Sequence, residues 1–255
     1  MIELKTPGEV TLMREAGRVV AAALRATRAA AGVGVSLDEL NGVAGAVIAE
    51  AGATPAFLHY RPQWAPTPFP GVICTSVNDA VVHGIPGPTR LRDGDLVSID
   101  CGAFLHGWCA DAAVSFIVGT PTDADRELVE ATEAALHRGI DAAQPGNRLG
   151  DIGCAIGEGV RRAGYGLLAD HAGHGIGRAM HEAPFVPNEG RAGRGYRLKP
   201  GLVIALEPML IAGGGDEYRR DADGWTLRSA DGTRAAHAEH TVAVTDDGPV
   251  VLTLP

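Results

Sequence analysis

Cysteine is scarce in this chain. There are four in 255 residues (Cys74, Cys101, Cys109 and Cys154), with no CxxC spacing and no zinc-finger pattern. That excludes a disulfide scaffold and a cysteine-built metal module, and reads as the reduced thiols of a cytoplasmic protein. Long apolar runs are missing as well. Met1-Ile2-Glu3-Leu4-Lys5-Thr6-Pro7 holds no signal core, and no later stretch approaches a membrane span, so a soluble chain with no membrane partner is expected. Positive charge is in deficit: 22 Lys and Arg face 31 Asp and Glu, a formal net charge of -9. A nucleic-acid binder normally shows a basic face, so nucleic-acid binding is not expected. What is present is ordinary for a globular protein, 45% hydrophobic and 21% charged, and long enough to bury a sizeable core.

One stretch departs from the ordinary. Leu96-Val97-Ser98-Ile99 runs into Asp100, Gly102 and Gly107 permit a tight reversal, and Ala112-Ala113-Val114-Ser115-Phe116-Ile117-Val118 leads out past Asp111. This is a hairpin pattern with an acid inside each apolar arm. Burying an unpaired charge costs several kcal/mol, on the order of that found for single ions after relaxation. Side by side, Asp100 and Asp111 point into one space, and two close carboxylates repel unless a proton or a cation sits between them. Solvated turn acids are the bland alternative, and the apolar flanks weigh against it.

The rest of the chain reads as a repeated plan. Thr6-Pro7-Gly8-Glu9 is a capping box opening an amphipathic helix to about Ala31, and Ser36-Leu37-Asp38-Glu39 opens a second that stops at Gly52. A surface loop follows over 61–70, then strands near 71–77 and 81–83 and the acidic hairpin. Thr122 caps a third helix to about Ala143, and a fourth runs from Leu149 to Gly164. Segments 33–52 and 145–164 align at a constant offset of 112, pairing Gly34 with Gly146, Leu37 with Leu149 and Gly52 with Gly164. This predicts an α+β fold of two related halves, about 1–118 and 119–255, each a helix pair followed by strands. Strands near 198–207 and 225–228 flank a mobile reversal at 213–217, and strands at 241–244 and 250–252 close the sheet. No linker divides residues 1–255, which form one domain.

Three more side chains of metal-binding type stand where the local pattern does not call for them. His174 lies between glycines in Gly173-His174-Gly175-Ile176-Gly177, Glu207 ends the apolar run 202–206, and Glu239 opens another apolar strand. Taken singly, each reads best as a satisfied core or edge residue. With Asp100 and Asp111 they make four carboxylates and one imidazole, a hard donor set suited to two divalent first-row cations. Such a pair lowers the pKa of water held between them. His240 reads as a support for Glu239. His171 could mimic a ligand partner of His174, and His59, His106, His137 and His237 show no partner pattern.

These residues also carry a family resemblance. IDCGxxxxGxxxD across Ile99 to Asp111, GHGIGRxxHE across Gly173 to Glu182, Glu207-Pro208 and Glu239-His240-Thr241 resemble the methionine aminopeptidases of the pita-bread fold. So do 76–86 and Asp223-Gly224-Trp225-Thr226, and the resemblance spans nearly the whole chain. It implies a pita-bread fold with a central curved antiparallel sheet and two divalent metal ions (cobalt, manganese, iron, zinc or nickel). Asp100 would chelate one metal, Asp111 and Glu239 would bridge both, and His174 and Glu207 would hold the second. His181 would hydrogen-bond the scissile amide, His83 would contact substrate near it, and Phe69, Cys74, Met180 and Trp225 fall at the methionine pocket. A polarizable thioether suits such surroundings.

The reaction implied is removal of the initiator methionine from nascent chains, near the ribosome, by a cytoplasmic monomer. The short N-terminus and the lack of a long insertion favour type I. A peptidase of the same fold acting on Xaa-Pro bonds is the enzymatic alternative, and a metal-free relative kept as a binding protein is the other. Here all five ligand positions are retained, with His83 and His181.

Overall fold

A computed structural model describes residues 2–255. Helix α1 (Pro7–Ala30) starts at a capping box in which the Glu9 carboxylate accepts the Thr6 N–H, and α2 (Leu37–Glu50) starts at the same device between Ser36 and Glu39. Short strands β1 (Thr54–Pro55), β2 (Cys74–Val77) and β3 (Ala80–Val82) lead to the long pair β4 (Leu96–Leu105) and β5 (Trp108–Ile117). Helices α3 (Asp123–Ala142) and α4 (Leu149–Arg162) follow. Then come β6 (Gly166–Leu167), β7 (Gly173–Gly175), β8 (Glu182–Val186), β9 (Val203–Leu206) and β10 (Met209–Ile211). The chain closes with β11 (Tyr218–Arg220), β12 (Leu227–Ser229), β13 (Ala235–His237), β14 (Glu239–Thr245) and β15 (Gly248–Val251).

Nine strands make one antiparallel sheet in the order β1-β4-β5-β14-β9-β7-β8, with β2 on β4 and β15 on β14. The pairing of β14 with β5 joins strands from the two halves of the sequence. One side of the sheet is covered by helices. Val20, Leu24, Leu40 and Ile48 of α1 and α2 pack on Ile99, Cys101, Ala110 and Ala112, while α3 and α4 bring Leu128, Ile152 and Ile156 against Leu206 and Val242. Each large side chain buried this way contributes roughly 1.5–3 kcal/mol. Alternation along the strands leaves the other side of β4 and β5 to the acids.

Helices α2 (Leu37–Glu50) and α4 (Leu149–Arg162) have bounds that differ by 112 at both ends. Gly52 and Gly164 end the two helices with φ of 69° and 84°, the left-handed conformation glycine adopts without strain. Two details differ from the sequence reading. The hairpin reverses at His106-Gly107, with φ of 52° and 77°, and Gly102 sits inside β4 instead. The reversal near 213–217 is tied down, because both Asp216 oxygens accept from Arg161 at 2.6 Å and Oδ1 also takes the Leu167 N–H. No helix among the described residues is long and apolar enough to cross a membrane.

Candidate metal centre and substrate cavity

Residues directly opposed in an antiparallel ladder share a face. Cys74 opposes Asp100, Asp100 opposes Ala113, and Ala113 opposes Glu239, so four adjacent strands set a thiol, a carboxylate, a methyl group and a second carboxylate in one row. Asp111 lies two residues before Ala113 on the same face, opposite Gly102. A Cβ at 102 would stand 3.2 Å from Asp111 Oδ1 and 2.9 Å from the Phe57 ring, so glycine there leaves the carboxylate its room. Thr241 ties the strands together: its Oγ1 accepts the Asp111 N–H at 2.9 Å and donates to the Asp111 carbonyl at 2.8 Å.

The other donors arrive from β7 and β9. His174 opposes Ala205, and Glu207 follows directly after β9. The His174 Nδ1 donates to the Gly175 carbonyl at 2.9 Å. A carbonyl only accepts, so Nε2 is the nitrogen with the free lone pair, and it lies 3.5 Å from Glu207 Oε1.

Electrostatically this cluster is incomplete on its own. Burial pushes the Asp100 carboxyl up to about 7. Burial, reinforced by the neighbouring carboxylates, holds Asp111, Glu207 and Glu239 well above the usual range. Asp100 Oδ1, Asp111 Oδ1 and Glu239 Oε1 are buried without a hydrogen-bond partner among the described residues. Among the described residues, the ion-pair neighbours of Glu207 and Glu239 are histidines alone. Unpaired acceptors converging in a buried space are what divalent cations satisfy, and the donor set of carboxylate oxygens and imidazole fits them. The donors fall into two groups that share Glu239. One is Asp111, His174 and Glu239, the other Asp100, His237 and Glu239, and in each the donor atoms lie within 4.8 Å of one another.

Beside the cluster opens a cavity of about 400 Å³. All eleven side chains singled out in the sequence line it: the five donors, His83, His181, Phe69, Cys74, Met180 and Trp225. Its apolar end is buried, with Phe69 and Trp225 edge to face at 5.0 Å and Met180 5% exposed. Trp225 is fixed by its N–H to the Asp223 carboxylate and by its indole N–H to the Thr67 carbonyl. The loop read as a surface segment therefore turns Phe69 inward, leaving Trp64 at the rim, half exposed. Burial and the neighbouring Asp100 raise the Cys74 thiol, which stays protonated and unreactive.

Two histidines flank the cluster. His181 lies 4.1 Å, ring to ring, from His174, and its Nδ1 meets the Tyr60 hydroxyl at 3.1 Å. Burial, with His174 alongside, lowers it to about 3, so it works as a neutral ring. The residue after it, Glu182, is anchored by Lys5 at 2.6 Å. His83 holds a φ of 60°, a strained conformation for a non-glycine residue, and its buried Nδ1 has no partner among the described residues. Burial brings it, too, to about 3.

The structure corrects two sequence readings of histidine and locates a third residue, His171. His240 does not support Glu239; its Nδ1 bonds to Thr253 Oγ1 at 2.8 Å, because adjacent strand residues point to opposite faces. His171 lines the cavity, edge-on to His83 and Tyr218. His237 is no bystander: it is 2% exposed and its Nε2 faces the carboxylates. The available signal was its place two residues before Glu239 in extended chain. Tyr60, 121 residues from His181 in sequence, left no local signal.

Comparison with known proteins now places the chain. The sequence model of metallopeptidase family M24 matches residues 11–246. The chain is 52% identical to methionine aminopeptidase 1 of Mycobacterium tuberculosis, over 100% of this chain and 96% of that one. It is 43% identical to methionine aminopeptidase 1 of Bacillus subtilis, over 99% of each. The crystal structure of methionine aminopeptidase from Thermotoga maritima superposes with a TM-score of 0.95 over 100% of both chains, at 38% identity. Prolidase from Pyrococcus furiosus, 24% identical, shares the fold with a TM-score of 0.79 over 99% of this chain and 65% of its own. By sequence and by its pita-bread fold, this chain belongs to metallopeptidase family M24, among the methionine aminopeptidases.

Proposed function

We propose that this enzyme removes the initiator methionine from nascent polypeptides in the cytoplasm, near the ribosome and as a monomer, when the second residue is small. The observation that carries this reading is the joining of two features in one cavity: a buried aromatic and sulfur-lined end, and a cluster of four carboxylates, three of which have a buried oxygen unpaired among the described residues. Asp100, Asp111, His174, Glu207 and Glu239 would hold two divalent cations, of cobalt, manganese, iron, zinc or nickel. When bound, they supply Lewis acidity toward water and toward the scissile carbonyl.

The remaining work falls to the protein. Phe69, Cys74, Met180 and Trp225 take the methionine side chain, whose burial contributes roughly 1.5–3 kcal/mol. That places the free amine and the first peptide bond over the carboxylates. The Tyr60 hydroxyl meets His181 Nδ1, and in the tautomer where that hydroxyl donates, the His181 proton sits on Nε2, where it would be offered to the amide as negative charge develops. His83, wedged between Trp64 and Trp225, contacts the substrate near the same bond. The second residue would sit close to the carboxylates, where a large side chain would collide with the β4–β5 hairpin and the Gly175 region.

The test is kcat/KM over a small peptide panel with metal supplied. Met-Ala and Met-Gly peptides should be cut well, Met-Leu and Met-Arg poorly, and Ala-Pro hardly at all. Preference for Ala-Pro would move the enzyme to the Xaa-Pro peptidases, and no cleavage with any divalent metal would leave a binding protein.

A further inference from the structure

The two donor groups that share Glu239 are built alike, each with one aspartate and one imidazole. His174 serves the Asp111 group. In the Asp100 group the imidazole is His237, which has no role in the reading above. Its Nε2 is buried and has no hydrogen-bond partner among the described residues. It lies 3.7 Å from Glu239 Oε2 and 3.9 Å from Glu207 Oε2. These separations exceed the roughly 3.2 Å limit of an N–H···O bond. They suit two donors of one cation, since bonds of about 2.0–2.2 Å set open-angled donors nearly 4 Å apart.

The position of His237 is also firmly held. The Ser115 hydroxyl donates to its carbonyl at 2.8 Å and accepts its N–H at 2.9 Å, and Ser115 in turn bonds Ser98 at 2.7 Å. On the other side His237 pairs with Met209 of β10. Extended chain then carries its side chain to the same face as Glu239, two residues on. The fold thus spends two buried serines on fixing a residue whose ring nitrogen ends unpaired among carboxylates.

We propose that His237 is a direct nitrogen ligand of the cation held by Asp100 and Glu239, so that each of the two cations has one imidazole. This rests on the two-cation reading. A second nitrogen donor favours zinc, nickel, cobalt or iron over manganese and magnesium, which prefer all-oxygen sites.

The test uses the full chain freed of metal and titrated with Co2+. Calorimetry gives stoichiometry and affinity, and cobalt K-edge X-ray absorption gives the imidazole count, neither needing activity. The wild type should bind two cobalt ions with an average of about one imidazole each. His237→Gln, which keeps an amide able to hydrogen-bond the carboxylates, should weaken one of the two sites by at least about tenfold, the smallest loss usual for groups around a metal. It should also halve the imidazole count. An imidazole count unchanged in His237→Gln, whatever the affinity, would overturn the proposal and leave His237 as a brace for the carboxylates, since a brace also costs affinity when removed. A wild-type spectrum with half the expected imidazole would overturn it without any variant. Failure of the wild type to bind two ions would instead sink the two-cation reading itself.

Discussion

Helices α2 and α4 have the same length and bounds offset by 112, yet the strands that follow them furnish the cavity in different ways. In the first half Asp100 and Asp111 come from one regular hairpin, ten residues in each strand, paired throughout. In the second half His174, Glu207, His237 and Glu239 come from four separate short segments with a register shift at His174/Gly175. There the backbones crowd: a Cβ on Gly173 would stand 2.2 Å from the Ala205 carbonyl oxygen, and one on Gly175 equally close to that of Ala183. One half delivers its charges by local pairing, the other by long-range assembly. The second half also supplies the residue common to both donor groups, Glu239.

That asymmetry makes the first prediction the largest. Glu239→Gln should abolish binding of both cations, whereas Asp100→Asn should release one and retain the other. Activity should fall in each by more than the roughly 10–100-fold that supporting groups around a metal cost. Metal stoichiometry by elemental analysis decides it. Equal retention in the two variants would remove the distinction between a shared and an unshared carboxylate.

The neighbouring imidazoles sharpen the same contrast. His174→Ala should lower metal affinity. His181→Ala should keep the metal and lose about 10²–10³ in kcat, as expected when one donor to a developing charge is removed. Calorimetric titration beside steady-state kinetics separates them, and matching metal losses would show the roles to be wrong.

Legibility in the sequence follows the same divide. Capping boxes and the acidic hairpin are short-range patterns, so helix starts and the meeting of Asp100 and Asp111 on one face could be read directly. Gly102 was misplaced because a glycine in a β-pattern signals a turn as readily as a close approach, and only the Phe57 ring and Asp111 above it show which. His237 and Glu239 do obey the period of two, but a single alternation at a strand boundary is too short a pattern to stand out. Tyr60, His171 and the inward turn of Phe69 depend on loops placed by tertiary packing, and nothing within a ten-residue window encodes them.

The equivalent helices offer a stability test free of the metal. Gly45 and Gly157 occupy matching positions at the 112 offset. A Cβ at 45 would touch Val72 at 3.6 Å, an ordinary contact, whereas at 157 it would come within 2.8 Å of Glu189 Cγ and 3.1 Å of the Asn188 carbonyl oxygen. Gly45→Ala should therefore gain the helix advantage of about 0.5–1 kcal/mol. That raises Tm by about 1–4 °C in a chain of this size. Gly157→Ala meets an overpacking cost of about 1–3 kcal/mol and should lower Tm. Shifts of the same sign in calorimetry would mean that the two helices sit alike on the sheet.

The smallest effect lies at the end of α4. Arg161 there bonds both Asp216 and Glu189, while the matching position on α2 is Ala49, which has no such reach. The Arg161 guanidinium, helped by the Leu167 N–H, holds the Asp216 carboxyl below its ordinary 3.8. A carboxyl depressed on folding adds stability that is fully present above the unfolded value and disappears as pH falls through the folded one. Asp216→Asn should thus cost stability at neutral pH and nothing below the folded pKa, so the two stability curves converge in acid. Both partners are about one-third exposed, 34% for Arg161 and 37% for Asp216. Solvent screening therefore limits the loss to about 0.2–1 kcal/mol. Urea unfolding of both proteins at neutral pH and near the acid limit measures it, and a difference that widened on acidification would contradict the sign. Ala49→Arg, which brings no partner to α2, should leave stability within experimental error at both pH values, because the clamp depends on the tied-down reversal at Asp216 and not on the helix end alone.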